Sequence, residues 1–229
     1  MCGRSEPTLW RVELTESYDT VIPAAILARY DFREVRKAAA VLRSTNEQAF
    51  DELMAVLGGF SIEAEDITEP GGNKSRIAEK LDEAFRKLGW REAQHTMSIT
   101  SILKLMPYRA AGERKPREVK TEVLGEGYKV DNVKARVFLD VEWHAKDGNL
   151  DRDVGAYRAL YDAAIIDVGV IITRDLDTIR DLADRLGRPG AFSGTTTTNM
   201  TKLVPRLKRG DGGGCPILAI AITDRCYAP

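Results

Sequence analysis

The chain has 229 residues, 43% hydrophobic and 30% charged, with 34 Lys and Arg against 35 Asp and Glu and a formal net charge of -1. That length supports one compact unit with a full core, and no apolar run reaches the length of a membrane span, which leaves a soluble globular class and argues against a uniformly basic nucleic-acid binder. Cys2, Cys215 and Cys226 are too scattered for zinc spacing and too few for a disulfide framework, and Met1 to Pro7 carries no apolar signal core, so cytoplasm is the expected compartment.

Trp10, Val12 and Leu14 alternate with polar residues as in a short strand, and Pro23 suits the first turn of a helix through Ala28. Thr45 to Gln48 reads as a capping box, before Ala49, Leu53, Met54 and Leu57 at helical spacing and Gly58-Gly59 as a stop. Glu69 to Asn73 is turn chemistry, and Ser75 caps a helix carrying Ile77, Leu81, Phe85 and Leu88. Period does not separate strand from helix between Gln94 and Leu105. Arg109 to Lys120 gathers five cations around Gly112 and Pro116, an exposed loop that either is simply solvated or touches phosphates.

From Val137 to His144 apolar and polar residues alternate. Val137, Leu139, Val141 and Trp143 form a core face, while Phe138, Asp140, Glu142 and His144 share the other. With Asp131 on a neighbouring strand, three carboxylates crowd together, and such a group resists ionising unless something positive sits between them. A divalent cation on Asp131 and Asp140, with Glu142 holding or deprotonating an attacking water, is one reading. The other is that these acids form the solvated face of an edge strand. Leu150 to Ala164 then marks a helix, and Ile165 to Thr173 an apolar strand buried on both faces, which together give a strand, helix, strand crossover and favour a central position for the acidic strand. A helix from Leu176 to Leu186, a polar loop from Ser193 to Asn199, a short helix with Leu203 and Leu207, and a buried strand from Cys215 to Ile222 complete the chain. The threonines at 195–198 suit a helix cap or contact with phosphates and base edges.

The segment from Asp131 to Trp143 resembles the metal-site segment of the PD-(D/E)XK nucleases, specifically the BglII and BstYI group of type II restriction endonucleases, with BamHI a more distant relative. The likeness extends in order over Gly71 to Asn73, Leu88 to Trp90, Ile166 to Ile171 and the closing strand from Pro216. Asp140 stands where the group has Glu, and Glu142 where most members have Gln or Lys; an alternative register pairs Asp131 with Glu142 and puts His144 last. The resemblance implies an α/β nuclease core with a mixed central sheet flanked by helices, in a single domain over 1–229 whose residues 1–69 form an N-terminal strand and helical part and 70–229 the core. It further implies Mg²⁺-dependent cleavage, with Mn²⁺ as a substitute, of double-stranded DNA at a short palindrome, a GATC-centred hexamer, leaving 5′-phosphates. Asp131, Asp140 and Glu142 are then catalytic, and Asp131 and Asp140 bind metal. His144, Lys146, Ser193, Thr195, Thr196, Thr197, Thr198 and Asn199 contact DNA. The partners implied are a second copy of the chain in a homodimer and a cognate DNA methyltransferase encoded nearby. The alternatives are a repair or RNA-processing nuclease on the same core, or a DNA-binding protein with a degenerate metal site.

Overall fold

The computed structural model describes residues 14–69, 75–125 and 127–229. The expected strand at Trp10 to Leu14 and the turn at Glu69 to Asn73 lie wholly or mostly outside these residues. The chain forms α1 (Tyr18–Val21), α2 (Ala24–Leu27), β1 (Tyr30–Val35), α3 (Ala38–Thr45), α4 (Glu47–Gly59), α5 (Ala64–Thr68) and α6 (Arg76–Lys87). These are followed by β2 (Arg91–His95), β3 (Ser98–Leu105), β4 (Arg117–Leu124), β5 (Tyr128–Lys134) and β6 (Val137–Val141). The last part holds α7 (Gly148–Asp162), β7 (Val168–Arg174), α8 (Leu176–Arg185), α9 (Met200–Arg209) and β8 (Ile217–Ile222). Among the described residues, no helix is long and apolar enough to cross a membrane.

The strands of the mixed sheet run β1, β8, β7, β6, β5, β2. β6, β7 and β8 are parallel neighbours, β1 lies antiparallel to β8, and β5 forms an antiparallel hairpin with β6. The crossover expected after the acidic strand is present, since α7 connects β6 to the parallel β7. Alternate residues of the central strands enter one core: Val137, Leu139 and Val141 from β6, Val168, Val170 and Ile172 from β7, and Leu218, Ile220 and Ile222 from β8. They meet Leu42, Leu53, Leu57, Ile77, Leu81 and Phe85 of α3, α4 and α6. The opposite face is covered by α7 and α9, through Leu150, Val154, Tyr157, Leu203 and Leu207. Both faces are therefore dry, and every residue of β6 is buried.

The described residues divide into two compact units, one of those up to 91 with 131–229 and the other of those between 92 and 130. In the second unit β3 and β4 pair antiparallel from Ser98 opposite Leu124 to Leu105 opposite Arg117, and every residue of both strands is exposed. The register puts Ile99, Leu103, Val119 and Val123 on one face of this ribbon, with Lys104, Glu118, Lys120 and Glu122 on the other.

Local chemistry explains several departures from the pattern read in the sequence. Thr45 is not the cap of α4 but the last residue of α3: its hydroxyl donates to the Val41 carbonyl, and the chain breaks at Asn46, which caps α4 with an extended φ of -142°. The stop at Gly58-Gly59 holds: Gly59 is the last residue of α4, and Phe60 follows in extended backbone. β1 carries only two strongly apolar inward residues, Tyr30 and Phe32, and buries Glu34 as well, whose carboxylate accepts from the Ser17 and Ala39 amides. That buried acid hides the strand from a hydrophobic pattern. The basic stretch is half strand, since Arg117 and Lys120 belong to β4. Ser75 does cap α6, accepting from the Ala78 amide at 3.1 Å.

Candidate active site

Asp131 and Asp140 face each other where the β5–β6 hairpin opens. The ladder pairs Asn132 with Leu139, so one step further puts the two aspartates directly opposite on one face. There the side chains take over from the backbone. Asp131 Oδ2 accepts from the Val141 amide at 3.0 Å, and Asp140 Oδ1 accepts from the Asp131 amide at 3.1 Å. Each carboxylate thus holds the other's strand. Asp140 is 2% exposed, whereas Asp131 is only half-buried.

A tyrosine of α7 fixes the second oxygen of Asp140. The Tyr157 hydroxyl lies 2.6 Å from Asp140 Oδ2 and 2.9 Å from the Val170 carbonyl. With one proton to give, it can donate to only one of these acceptors, and a carboxylate oxygen is the stronger acceptor of the two. Its ring reaches that point by lying across β7 at Gly169, where a Cβ would fall 2.1 Å from Tyr157 Cδ2. Gly169 is therefore a packing requirement of the site.

β6 stops at Val141, so Glu142 is not a strand residue but the first residue beyond its end, held by its amide to the Ile172 carbonyl at 2.8 Å. Its own carbonyl accepts from the hydroxyls of Thr173 and Thr198, at 2.8 and 2.9 Å. Its carboxyl is buried, and no sequence pattern marks its partner. Asp153, five residues into α7 and fully buried, interacts with it directly. Burial, then the charges of Asp153 and Asp140, push the Glu142 carboxyl well above the ordinary carboxylate range, with Arg152 opposing. Burial likewise raises Asp153. A periodic reading takes Asp153 as one more polar residue of an amphipathic helix; only its position beside the buried Val154 and Tyr157 marks it.

The two stretches expected to touch DNA are joined. Lys146 forms a bridge with Thr197, the Asp147 amide donates to the Thr196 carbonyl at 2.8 Å, and the Thr198 amide donates to the Ala145 carbonyl at 2.9 Å. Within this pair, Ser193, Thr195, Thr196, His144 and Lys146 are exposed. Thr198 and Asn199 are buried and committed to the frame: the first bonds the Glu142 carbonyl, and the second caps α9 by accepting from the Lys202 amide at 3.0 Å. Thr197 is half-buried and accepts from Arg174 Nη2 at 2.7 Å. Arg174, absent from the sequence reading, is fully buried, with its guanidinium 5.5 Å from the Trp143 ring and 5.0 Å from that of Phe192. His144 stacks on Phe192 at 5.1 Å; desolvation, then the Arg174 charge, lower its imidazole to about 4.

Another buried acid near the hairpin, Asp82 of α6, binds Asn132 Nδ2 at 2.7 Å. Asn132 is the neighbour of Leu139 and so points to the opposite face of the sheet from Asp140. A surface cavity of about 460 Å³ between α4 and α6 shares no residue with the carboxylates.

Among the described residues, no three His, Cys, Asp or Glu side chains already stand in a closed metal-binding group. The donor set nevertheless fits a hard divalent cation. It is made of oxygens alone, and two of them, Glu142 Oε2 and Asp153 Oδ2, are buried without a hydrogen-bond donor. Two carboxylates with main-chain oxygen and water are enough for Mg²⁺, which keeps much of its hydration shell.

No curated protein matches the chain. The family described as "Restriction endonuclease BglII/BglIII" matches over residues 30–222, from the first residue of β1 to the last of β8. The matched region includes the hairpin, the crossover and all four buried or half-buried acids of the site, and the chain belongs to this family of restriction endonucleases, as a type II site-specific deoxyribonuclease.

Proposed function

We propose that this endonuclease hydrolyses double-stranded DNA at a short palindrome in a Mg²⁺-dependent reaction, with Asp131 and Asp140 as metal ligands and Glu142 as the group that holds the attacking water. The observation that carries this reading is the interlocked pair of Asp131 and Asp140 in a chain of this family. A carboxylate offers about four lone-pair sites, so it can ligate a cation while accepting a hydrogen bond. A bound divalent cation supplies acidity to water and neutralises charge developing on the phosphate. Asp140, held by the Asp131 amide and the Tyr157 hydroxyl, keeps its orientation through the reaction. Glu142 has a high proton affinity and accepts a proton from water once it is ionised by a neighbouring positive charge.

The finer assignments follow from the same reading. The exposed side chains of His144, Lys146, Ser193, Thr195 and Thr196 contact DNA, where hydroxyls and cations bond phosphates and base edges. The target is a GATC-centred hexamer cut to 5′-phosphate ends by a homodimer whose two-fold axis matches the palindrome, with Mn²⁺ substituting for Mg²⁺ and a cognate methyltransferase encoded nearby. The resemblance to the BglII and BstYI group supports these assignments.

Digestion of a phage genome with the purified protein and Mg²⁺, followed by sequencing of the ends, tests the proposal. Discrete fragments sharing one palindrome are expected. Activity restricted to damaged, branched or RNA substrates, or binding without cutting, would replace this reading with a repair nuclease or a DNA-binding protein. Asp131→Asn and Asp140→Asn are each expected to lower cleavage by about 10³-fold or more, roughly 4 kcal/mol of transition-state stabilisation, while retaining duplex binding in a gel-shift titration. Near-normal cutting by both would sink the ligand assignment.

A further inference from the structure

The carboxyl groups of Glu142 and Asp153 meet at the end of β6, and one arginine divides their four oxygens into two kinds. Arg152 takes the outer pair: its Nη2 and Nε lie 2.9 and 3.1 Å from Asp153 Oδ1, and Nη2 lies 3.8 Å from Glu142 Oε1. The inner pair, Glu142 Oε2 and Asp153 Oδ2, is closed off from solvent and has no donor among the described residues. With both groups ionised neither can satisfy the other, because a carboxylate only accepts hydrogen bonds; with Glu142 protonated, its hydroxyl donates to Asp153. Arg152 brings one positive charge to two negative ones, and its side chain is 56% exposed, which weakens its effect further. Two interacting buried carboxyls with unpartnered oxygens require something positive at them, a proton or a cation.

We propose that Glu142 Oε2 and Asp153 Oδ2 are protein ligands of a divalent-cation subsite separate from the Asp131 and Asp140 pair. Hard oxygen donors on a strand end and a packed helix select an ion of the Mg²⁺ or Mn²⁺ class. The subsite lies in the acidic field of the other pair, since Asp140 acts on Glu142 and Asp131 on Asp153. Asp153 thereby enters the centre from α7, outside the acidic stretch that carries the other three acids. A single proton shared between the two carboxyls is the competing occupant.

The inference rests on the nuclease reading only for the class of ion, and its test uses no DNA. Calorimetric titration of the DNA-free protein with Mn²⁺ is compared for wild type, Asp153→Asn and Asp131→Asn, with thermal unfolding of each in EDTA. Asparagine matches aspartate in shape and its amide donates to Glu142, so Asp153→Asn is expected to unfold in EDTA at or above the wild-type temperature. One Mn²⁺ binding event should weaken at least tenfold in Asp153→Asn and survive in Asp131→Asn. Superimposed isotherms for wild type and Asp153→Asn would overturn the subsite in favour of the shared proton. Loss of all binding in Asp131→Asn would overturn its separateness. A wild type that cuts no DNA yet keeps the Asp153-dependent event would defeat the nuclease reading alone, whereas cutting with superimposed isotherms would defeat the subsite alone.

Discussion

Tyr157 and Gly169 show how one residue's chemistry depends on another's absence of a side chain. The hydroxyl orients Asp140 from α7, and the ring can lie on the sheet only because β7 offers no Cβ at 169. Gly169→Ala is expected to destabilise the fold by about 3 kcal/mol in urea unfolding, at the upper end of overpacking costs, because backbone and ring must separate. Tyr157→Phe keeps the ring and removes the donor; it should cost ~1.5 kcal/mol of stability and about tenfold in cleavage. Unchanged cleavage in Tyr157→Phe would show that Asp140 needs no such positioning. His144 supplies a pH test. Its folded pKa of about 4 lies below the ordinary 6.5, so the neutral ring contributes stability that is present above pH 6.5 and is lost as pH falls towards 4. An NMR titration should place its midpoint near 4 in the folded protein, and Phe192→Ala, which removes the ring stacked on it, should return it towards 6.5.

At the scale of elements, the sequence placed the long crossover well and the short pieces poorly. α7, α8 and α9 were legible because their apolar residues keep a helical period and because Gly187 and Gly210, with φ of 77° and 80°, end α8 and α9 where glycine is expected; β7 and β8 were legible as short, largely apolar runs buried on both faces. β1 was not legible, since a strand with a buried Glu34 has no apolar alternation to read. β3 was ambiguous for the opposite reason: with both faces exposed, neither face imposes a pattern. The ribbon of β3 and β4 contributes no residue to the hydrophobic core. Replacing residues 98–124 by a tight turn should therefore move the thermal midpoint of the remaining fold by less than about 4 °C, or ~1 kcal/mol, in circular dichroism melts. A collapse of the cooperative transition would show that the ribbon is part of the folding unit.

At the scale of the whole molecule, a cation that binds only the folded state must stabilise it. Mn²⁺ or Mg²⁺ at 100 times its dissociation constant should add about 2.7 kcal/mol, reversed by EDTA, because crowded acids that repel one another in the bare fold are neutralised together. A melt unaffected by either ion would count against any cation at this centre. The sequence by itself determined the α/β class and the crossover, and brought forward Asp131, Asp140 and Glu142 as candidates, because periodicity and spacing along one chain are local properties. What only the tertiary structure decided was how those acids are held. Asp140 faces not solvent but a layer of helices, Asp131 and Asp140 are locked through each other's backbone, Thr198 and Asn199 are spent on the frame, and Asp153 and Arg174 arrive at the site from other elements. No local pattern encodes these facts, since each is a meeting of residues brought together only when α7 and α9 close over the second face of the sheet.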